Sequence, residues 1–303
     1  MQIRHERSIS LSRSSLLPYK LRMRLAAQQM ERNSTHKLTG RQSFLQYADP
    51  ARMPVWKPSS LILKDTRIVW TYWDKGFEKA PDIVRVCADS LKRQVNNARL
   101  IFLTDETLHD YITLPDFIRE KWERINPTKR GDLIRLELLA QHGGVWLDAT
   151  CFLTAPLPEV IFSLDQYFPP NHGKDRLIRS WFLVAKKRNP VFVKLLRMHY
   201  AFYRENIESE YYFFLHYMFE CLCMTDQEAY RRFIGQYRFD PPLETDDCHN
   251  FLLGRLPELD REAFRKCIIL KNNWKEATFT PGRKEILLDF LDEFRPHDVD
   301  DPQ

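Results

Sequence analysis

Asp132 and Arg135 stand three positions apart in the segment RGDLIRLELL, residues 130–139. Side chains at this spacing share one side of a helix, and the leucine and isoleucine residues around them predict that the helix is well buried. A buried carboxylate and a buried guanidinium both need partners. They either pair with each other or present a hydroxyl-binding carboxylate and a cation to a polar ligand.

A second acid, Asp148, lies in the segment GGVWLDAT, residues 143–150. We expect a strand over residues 145–152, in which the alternation of side chains places Asp148 and Thr150 on one face. Only nine glycines occur in the chain, so the adjacent pair before Val145 indicates a tight or crowded backbone. An aspartate in an apolar strand requires a cation or hydrogen bonds, and a divalent metal bound to a diphosphate would satisfy it.

Three large aromatic residues cluster where an apolar run ends: Trp70, Tyr72 and Trp73. Aromatic faces at the exit of a strand could stack on a nucleobase or a sugar. Packing in the core is the alternative for each of them.

The elements that must position these residues alternate regularly. Strands are predicted at 67–72, 99–104 and 145–152, with helices at 81–94, 115–125 and 131–142; a strand at 180–185, helices at 189–203 and 210–224 and a strand at 267–270 follow. This order predicts an α/β fold with an open, mostly parallel sheet flanked by helices. Ligands bind beyond the carboxyl ends of the strands in such sheets.

The composition is that of an ordinary globular protein: 303 residues, 44% hydrophobic and 29% charged. No apolar run approaches the roughly 20 residues that span a bilayer, and the N-terminus lacks an apolar signal core. Six scattered cysteines fit reduced thiols better than a disulfide scaffold. We therefore expect a cytoplasmic protein.

The charge is concentrated at the N-terminus, since residues 1–66 contain 12 Lys and Arg but only 4 Asp and Glu. We expect a basic, partly helical extension at 1–64 and one catalytic domain at 65–303. The segment 19–30 alternates Arg with Leu and Met, which suits either an amphipathic helix at the inner membrane surface or a helix packed on the body. A nucleic-acid-binding module is not expected, because the basic residues lie outside the α/β part.

Three segments together carry a resemblance to a known family: residues 67–74 (RIVWTYWD), 129–139 (KRGDLIRLELL) and 142–150 (HGGVWLDAT). They resemble the capsular polysaccharide synthesis protein family. That family belongs to a wider group of glycosyltransferases with a DXD-containing sugar-binding region, which includes yeast mannosyltransferases and the large clostridial glucosylating toxins. The resemblance implies a GT-A-like (Rossmann-like) fold and transfer of a sugar from a nucleotide-sugar with anomeric retention.

Carried over by position, the resemblance places Trp70 near the nucleotide base, with Thr71 and Tyr72 lining its pocket. Asp132 and Arg135 would hold the hydroxyls of the donor sugar. Three C-terminal residues could close over the diphosphate: Lys271, Trp274 and Lys275.

Asp148 would face the diphosphate and a divalent metal, Mn²⁺ or Mg²⁺. The second aspartate of DXD is Thr150 here, and a hydroxyl is a weaker ligand than a carboxylate. Another residue such as His216 or Asp226 would then complete the metal shell. His216 is also a candidate for the acceptor side, although a lone histidine on an aromatic helix is more often structural.

The resemblance implies a hexosyltransferase that moves a sugar, UDP-linked in the first instance, to a saccharide or lipid-linked saccharide in capsule or surface polysaccharide synthesis. Two other interpretations stay open. The same chemistry could modify a protein, as toxin-like enzymes do. The reduced metal motif would also suit a non-catalytic protein that binds a nucleotide-sugar.

Overall fold

The computed structural model describes residues 44–59, 63, 65, 67–171, 176–207, 209 and 211–295. The helix expected at 19–30 lies outside these ranges, as does most of the basic extension. No helix within them is both long and apolar enough to cross a bilayer. The division of the chain at residue 64 stays a prediction.

The described residues contain eight strands and nine α-helices. The strands are Ile68–Tyr72 (β1), Arg99–Leu103 (β2), Gly144–Leu147 (β3), Cys151–Leu153 (β4), Gln166–Tyr167 (β5), Phe182–Ala185 (β6), Glu244–Thr245 (β7) and Ile269–Lys271 (β8). The α-helices are Asp82–Gln94 (α1), Asp116–Arg119 (α2), Pro127–Gln141 (α3), Pro190–Glu205 (α4), Phe214–Thr225 (α5), Gln227–Ile234 (α6), Asp247–Leu252 (α7), Arg261–Lys266 (α8) and Arg283–Asp292 (α9).

Five strands form the main sheet in the order β2-β1-β3-β6-β5. Strand β1 is parallel to both β2 and β3, β6 is antiparallel to β3, and β5 is antiparallel to β6. Four of the five strands therefore run in the same direction. This confirms the predicted α/β fold with an open, mostly parallel sheet, consistent with a GT-A-like architecture.

Strand β1 is buried on both faces, as its apolar sequence predicts. Ile68 and Trp70 pack into the cluster that contains the core residues of α3, α4 and α5. Val69, which points the other way because side chains alternate along a strand, packs into a second cluster with Leu91 of α1. The sheet thus lies between helical layers.

The chain leaves the main sheet at Asp148, so the single strand expected over 145–152 is wrong. Strand β3 ends at Leu147, and β4 begins at Cys151 in a separate sheet of order β4-β8-β7. The backbone turns because Asp148 N donates to the Trp181 carbonyl at 2.9 Å, and Cys151 N donates back to the Asp148 carbonyl at 2.8 Å. Asp148 and Thr150 therefore lie in a turn at the carboxyl end of β3.

Two predicted helices also differ from the structure. The segment 115–125 forms the single turn α2 and a 3-10 turn, Trp122–Arg124, rather than one helix. The helix expected from residue 210 begins only at Phe214. The carbonyls before it, on Tyr211 and Tyr212, accept hydrogen bonds from Lys129 Nζ at 2.6 and 2.7 Å, and these compete with helical bonding.

Helix α3 is buried along nearly its whole length and begins at Pro127, four residues earlier than expected. Asn126 caps it by accepting from Thr128 N at 2.9 Å, and proline suits the first helical position. Because the helix is buried on all sides, its polar groups need partners from several directions. These partners fix the helix rigidly beside the sheet.

The segment 44–59 supplies some of those partners. Trp56 Nε1 donates to Glu137 Oε1 at 3.0 Å, and Ser59 N donates to the Gln141 side chain at 2.9 Å. Phe44 packs edge-on against rings of α4 and α5. This part of the chain therefore packs directly on the α/β body.

Candidate functional site

A cavity of about 640 Å³ opens beyond the end of β3. Its walls come from α3, the turn after β3, the segment before β6, the start of α5, the region of α7 and the end of β8. Five residues predicted for the site line it together: Asp132, Arg135, Asp148, His216 and Lys271. The remaining lining residues are Thr128, Asn171, Arg176, Arg179, Ser180, Trp181, Tyr212, Phe213, Asp246, His249, Asn250 and Arg255.

Four charged side chains form a continuous series of contacts in this cavity. Asp132 Oδ1 lies 3.7 Å from Arg135 Nη1, and Arg135 Nη2 lies 3.4 Å from Asp148 Oδ1. Lys271 Nζ contacts Asp148 Oδ2 at 3.0 Å. Acid and base alternate, so the helical pair and the acid after β3 belong to one site.

Arg135 is held in place by buried main-chain acceptors. Its Nε donates to the Gly131 carbonyl at 3.1 Å, one turn earlier on α3, and its Nη1 donates to the Ser180 carbonyl at 2.8 Å. The guanidinium also lies 5.2 Å from the centre of the Trp146 ring, a favourable cation–π distance. The guanidinium is therefore preorganised before any ligand binds.

Asp148 is ionised in this environment. Burial alone would raise the pKa of its carboxyl group, but Lys271, Arg135 and the Trp146 Nε1–H donor together lower it to about 2. Lys271 shows the converse: burial opposes its charge, but the neighbouring Asp148 carboxylate outweighs burial and raises the lysine pKa. Both groups carry their charges at neutral pH.

Asp132 has the weaker electrostatic support of the two acids. Burial raises its pKa, and the Asp148 carboxylate adds to that effect, while Arg135 and Lys129 oppose it. Its ion pair with Arg135 is long at 3.7 Å. A hydroxyl group from a ligand would stabilise this carboxylate by donating a hydrogen bond.

His216 lies at the start of α5 and lines the same cavity. Burial lowers its pKa to about 3, and the charges of Arg176 and Arg135 act in the same direction. The imidazole is therefore neutral near pH 7. In that state it offers a ligand one hydrogen-bond donor and one acceptor.

The structure buries Trp70 and Thr71, which were predicted to lie at a nucleotide pocket, and neither lines the cavity. Both side chains are fully buried, at 0% exposure. The Trp70 indole donates to the Gly143 carbonyl at 2.8 Å and packs against Tyr111 and His142. The aromatic run does not show which of its members face solvent, and Trp70 occupies a strand buried on both faces.

Other aromatic residues cluster near the end of β1, and of Tyr72, Trp73, Trp274 and Tyr212 only Tyr212 lines the cavity. Trp73 follows β1 and packs edge-on against Trp274 at 5.3 Å between ring centres. Trp274 is 42% exposed, and Lys275 Nζ lies 5.9 Å from its ring and 5.8 Å from the ring of Tyr212. Tyr72 is tied to Asp105 by a 2.6 Å hydrogen bond.

The model of a family described as capsular polysaccharide synthesis protein matches residues 28–264, which is more than three quarters of the chain. The chain belongs to this family. No curated protein matches it. The matched region contains every residue that lines the cavity except Lys271, which the following segment supplies.

Three further arginines line the cavity: Arg176, Arg179 and Arg255. Arg179 lies 3.4 Å from Asp246, and Arg255 donates to the Asn250 side chain at 3.4 Å. Sequence reasoning missed these arginines, because they come from separate segments and no local pattern marks them. They give the cavity five basic side chains against three carboxylates.

The arrangement does not fit the expected metal ligands. Both oxygens of Asp148 already accept contacts from Arg135, Trp146 or Lys271, and Lys271 Nζ also donates to Thr150 Oγ1 at 2.5 Å. A hard divalent cation prefers six or more oxygen ligands, whereas two cationic side chains flank this carboxylate. Within the described ranges, no three His, Cys, Asp or Glu side chains come together to hold a metal ion.

Asp226, expected as a further metal ligand, is not part of this site. Its carboxylate caps α6 by accepting from Glu228 N and Ala229 N at 2.9 and 3.0 Å, and it pairs with Lys194. It lines a different cavity, of about 410 Å³, beside residues 45–53. Helix capping explains its position in the sequence.

Proposed function

We propose that this chain is a glycosyltransferase that moves a sugar from a nucleotide-sugar to a saccharide acceptor, with retention at the anomeric carbon. The observation that carries the proposal is the contact series Asp132–Arg135–Asp148–Lys271 within one cavity. A volume of about 640 Å³ falls in the range of small-molecule sites. Membership of the capsular polysaccharide synthesis family supports the same chemistry.

Asp132 and Arg135 would bind the hydroxyl groups of the donor sugar. Asp132 gains a donor for its buried carboxylate, and Arg135 offers N–H groups from a fixed guanidinium. The neutral His216 would hydrogen-bond either the sugar or the incoming acceptor. These side chains approach the sugar from different elements, which would orient it before transfer.

Lys271 and Arg135 would stabilise the leaving group. The bond between the anomeric carbon and the phosphate oxygen breaks, and both electrons stay with that oxygen. The acceptor hydroxyl bonds to the same carbon from the leaving-group side, and its proton passes to the departing phosphate. Fixed cations at the developing negative charge are an effective source of transition-state stabilisation.

The aromatic cluster near the end of β1 would hold the nucleoside. Trp73 and Trp274 lie together near the exit of β1, and Trp274 is partly exposed, so a base could stack beside them. A UDP-linked sugar is the first donor to test. The acceptor would be a saccharide or lipid-linked saccharide of a capsule, reached at the inner membrane surface through the basic extension.

A panel of UDP-, GDP- and CDP-linked sugars tests the proposal. The full chain should release a nucleoside diphosphate from one donor and transfer its sugar to lipid-linked saccharide. Asp148→Ala should abolish both reactions and keep the wild-type circular dichroism spectrum, whereas the exposed control Asp89→Ala should stay active. Wild-type turnover in Asp148→Ala would refute the assignment.

Two additional assays separate the other interpretations. Transfer of sugar to proteins of a cell extract but not to saccharides would indicate a toxin-like enzyme. Donor binding by calorimetry, without hydrolysis or transfer to any acceptor, would indicate a non-catalytic nucleotide-sugar-binding protein.

A further inference from the structure

Lys271 occupies the place where the family resemblance leads one to expect a metal. Its Nζ contacts the two side chains of the Asp-Ala-Thr motif, Asp148 Oδ2 at 3.0 Å and Thr150 Oγ1 at 2.5 Å. A metal bound there would use the same two oxygen atoms. The lysine side chain is 16% exposed and lines the cavity, so its charge is accessible to a ligand.

A second cation completes the ring of contacts around Asp148. Arg135 Nη2 lies 3.4 Å from Oδ1, and the Trp146 indole donates to that oxygen at 2.8 Å. A divalent ion at Asp148 would lie close to both positive side chains. Like charges at such distances repel strongly in a partly buried site, so the lysine and the metal compete for one position.

The cavity as a whole already carries an excess of positive charge. Arg135, Lys271 and three other arginines face three carboxylates in its lining. Basic side chains therefore outnumber carboxylates in the lining, which favours an anionic ligand.

We propose that Lys271, positioned by Asp148 and Thr150 and assisted by Arg135, binds the donor diphosphate directly, so that this protein needs no divalent metal to bind a nucleoside diphosphate. The inference rests on the proposed function and deepens it. An ammonium group has three N–H donors, and Asp148 and Thr150 account for two of them. The third can reach a phosphate oxygen, and Asp148 acts as a positioning residue.

Two direct measurements test this inference with the full chain. Calorimetry follows the binding of UDP, GDP and inorganic pyrophosphate in EDTA and in millimolar Mn²⁺. Electron paramagnetic resonance of Mn²⁺, with and without UDP, reports metal binding independently of activity. The wild-type protein should bind the same nucleotide within about twofold in both buffers and should leave the Mn²⁺ signal free.

Lys271→Met removes the charge and keeps most of the aliphatic stem. It should weaken nucleotide binding in EDTA at least about tenfold. Because Asp148 and Thr150 are then released, added Mn²⁺ should restore part of the affinity. The matched control is Lys266→Met, an exposed lysine shortly before β8, which should bind like the wild type.

Asp148→Asn should give opposite results if Lys271 binds the diphosphate and if a metal on Asp148 binds it. It therefore tests the inference even if Lys271→Met folds poorly. Loss of the carboxylate leaves two cations free for the diphosphate, so nucleotide affinity in EDTA should hold or rise, by up to about tenfold. If Asp148 instead held a metal, Asp148→Asn would weaken nucleotide binding.

Metal-dependent binding would overturn this inference but not the proposed function. It would appear as loss of wild-type nucleotide affinity in EDTA, a bound Mn²⁺ signal, and weaker nucleotide binding by Asp148→Asn. Failure of all three probes to bind in either buffer would overturn both. Metal-free binding without any sugar transfer would support the inference and reject the catalytic part of the proposed function.

Discussion

Glu137 makes the stability of this protein depend on pH in a window that can be measured. The side chain is 2% exposed on α3, where Oε1 accepts from Trp56 Nε1 at 3.0 Å and Oε2 from the Tyr200 hydroxyl at 2.6 Å. Burial raises its pKa from 4.5 to about 7, although both hydrogen bonds act in the opposite direction. The folded state therefore retains a proton that the unfolded chain loses.

The sign and size of the effect on stability follow from the difference in pKa between the folded and unfolded states. Below pH 4.5 both states bind the proton, and above pH 7 neither does. Between these values only the unfolded state releases it, so the free energy of unfolding falls as pH rises. A pKa shift of this size lowers the free energy of unfolding by about 3 kcal/mol in total. Glu137→Gln cannot titrate and should lack this loss.

Urea denaturation at a series of pH values measures the effect, with tryptophan fluorescence as the signal. The difference in unfolding free energy, wild type minus Glu137→Gln, should fall by about 3 kcal/mol between pH 4.5 and 7 and stay level above. Subtraction removes the contributions of groups common to both chains. Glu258→Gln, at an exposed position, controls for the loss of one carboxyl group. A flat or rising difference would refute this account of the buried carboxyl.

Three further predictions concern the site and its support. Asp132→Asn should raise KM for the donor sugar more than it lowers kcat, because the residue binds hydroxyl groups; an unchanged KM in steady-state assays would contradict this role. Trp274→Ala should weaken UDP binding about tenfold by calorimetry, and equal binding would place the base elsewhere. Gly143→Ala should lower the melting temperature strongly, because φ is +74° and a Cβ would lie 2.5 Å from Lys187 N; wild-type melting would show that the backbone can move.

The spacing of residues along the sequence identified those site residues whose positions depend on a single helix or strand. Helical spacing placed Asp132 and Arg135 on the same side of α3, and both line the cavity. The apolar runs and their boundaries predicted the order of strands and helices. Resemblance added His216 and Lys271, which line the same cavity. Their roles in catalysis stay predictions.

The features that the sequence did not predict depend on contacts between distant segments. Trp70 is enclosed by Tyr111 and His142, and nothing in its own strand shows that both faces are covered. The turn at Asp148 requires the Trp181 carbonyl, 33 positions away. The arginines around the cavity become neighbours only when the segment before β6 and the region of α7 pack together.

The pairing of β4 with β8 determines where the charge of Lys271 lies. In this antiparallel pair Cys151 stands opposite Lys271, with Phe152 opposite Leu270. The turn after β3 brings Asp148 and Thr150 next to Cys151, so this register sets the lysine beside both side chains. A shift of one residue would turn Lys271 to the other face of the sheet and leave the Asp148 carboxylate without that cation. The electrostatics of the site are therefore set by backbone hydrogen bonding in the second sheet, whose strand β8 lies outside the region that matches the family.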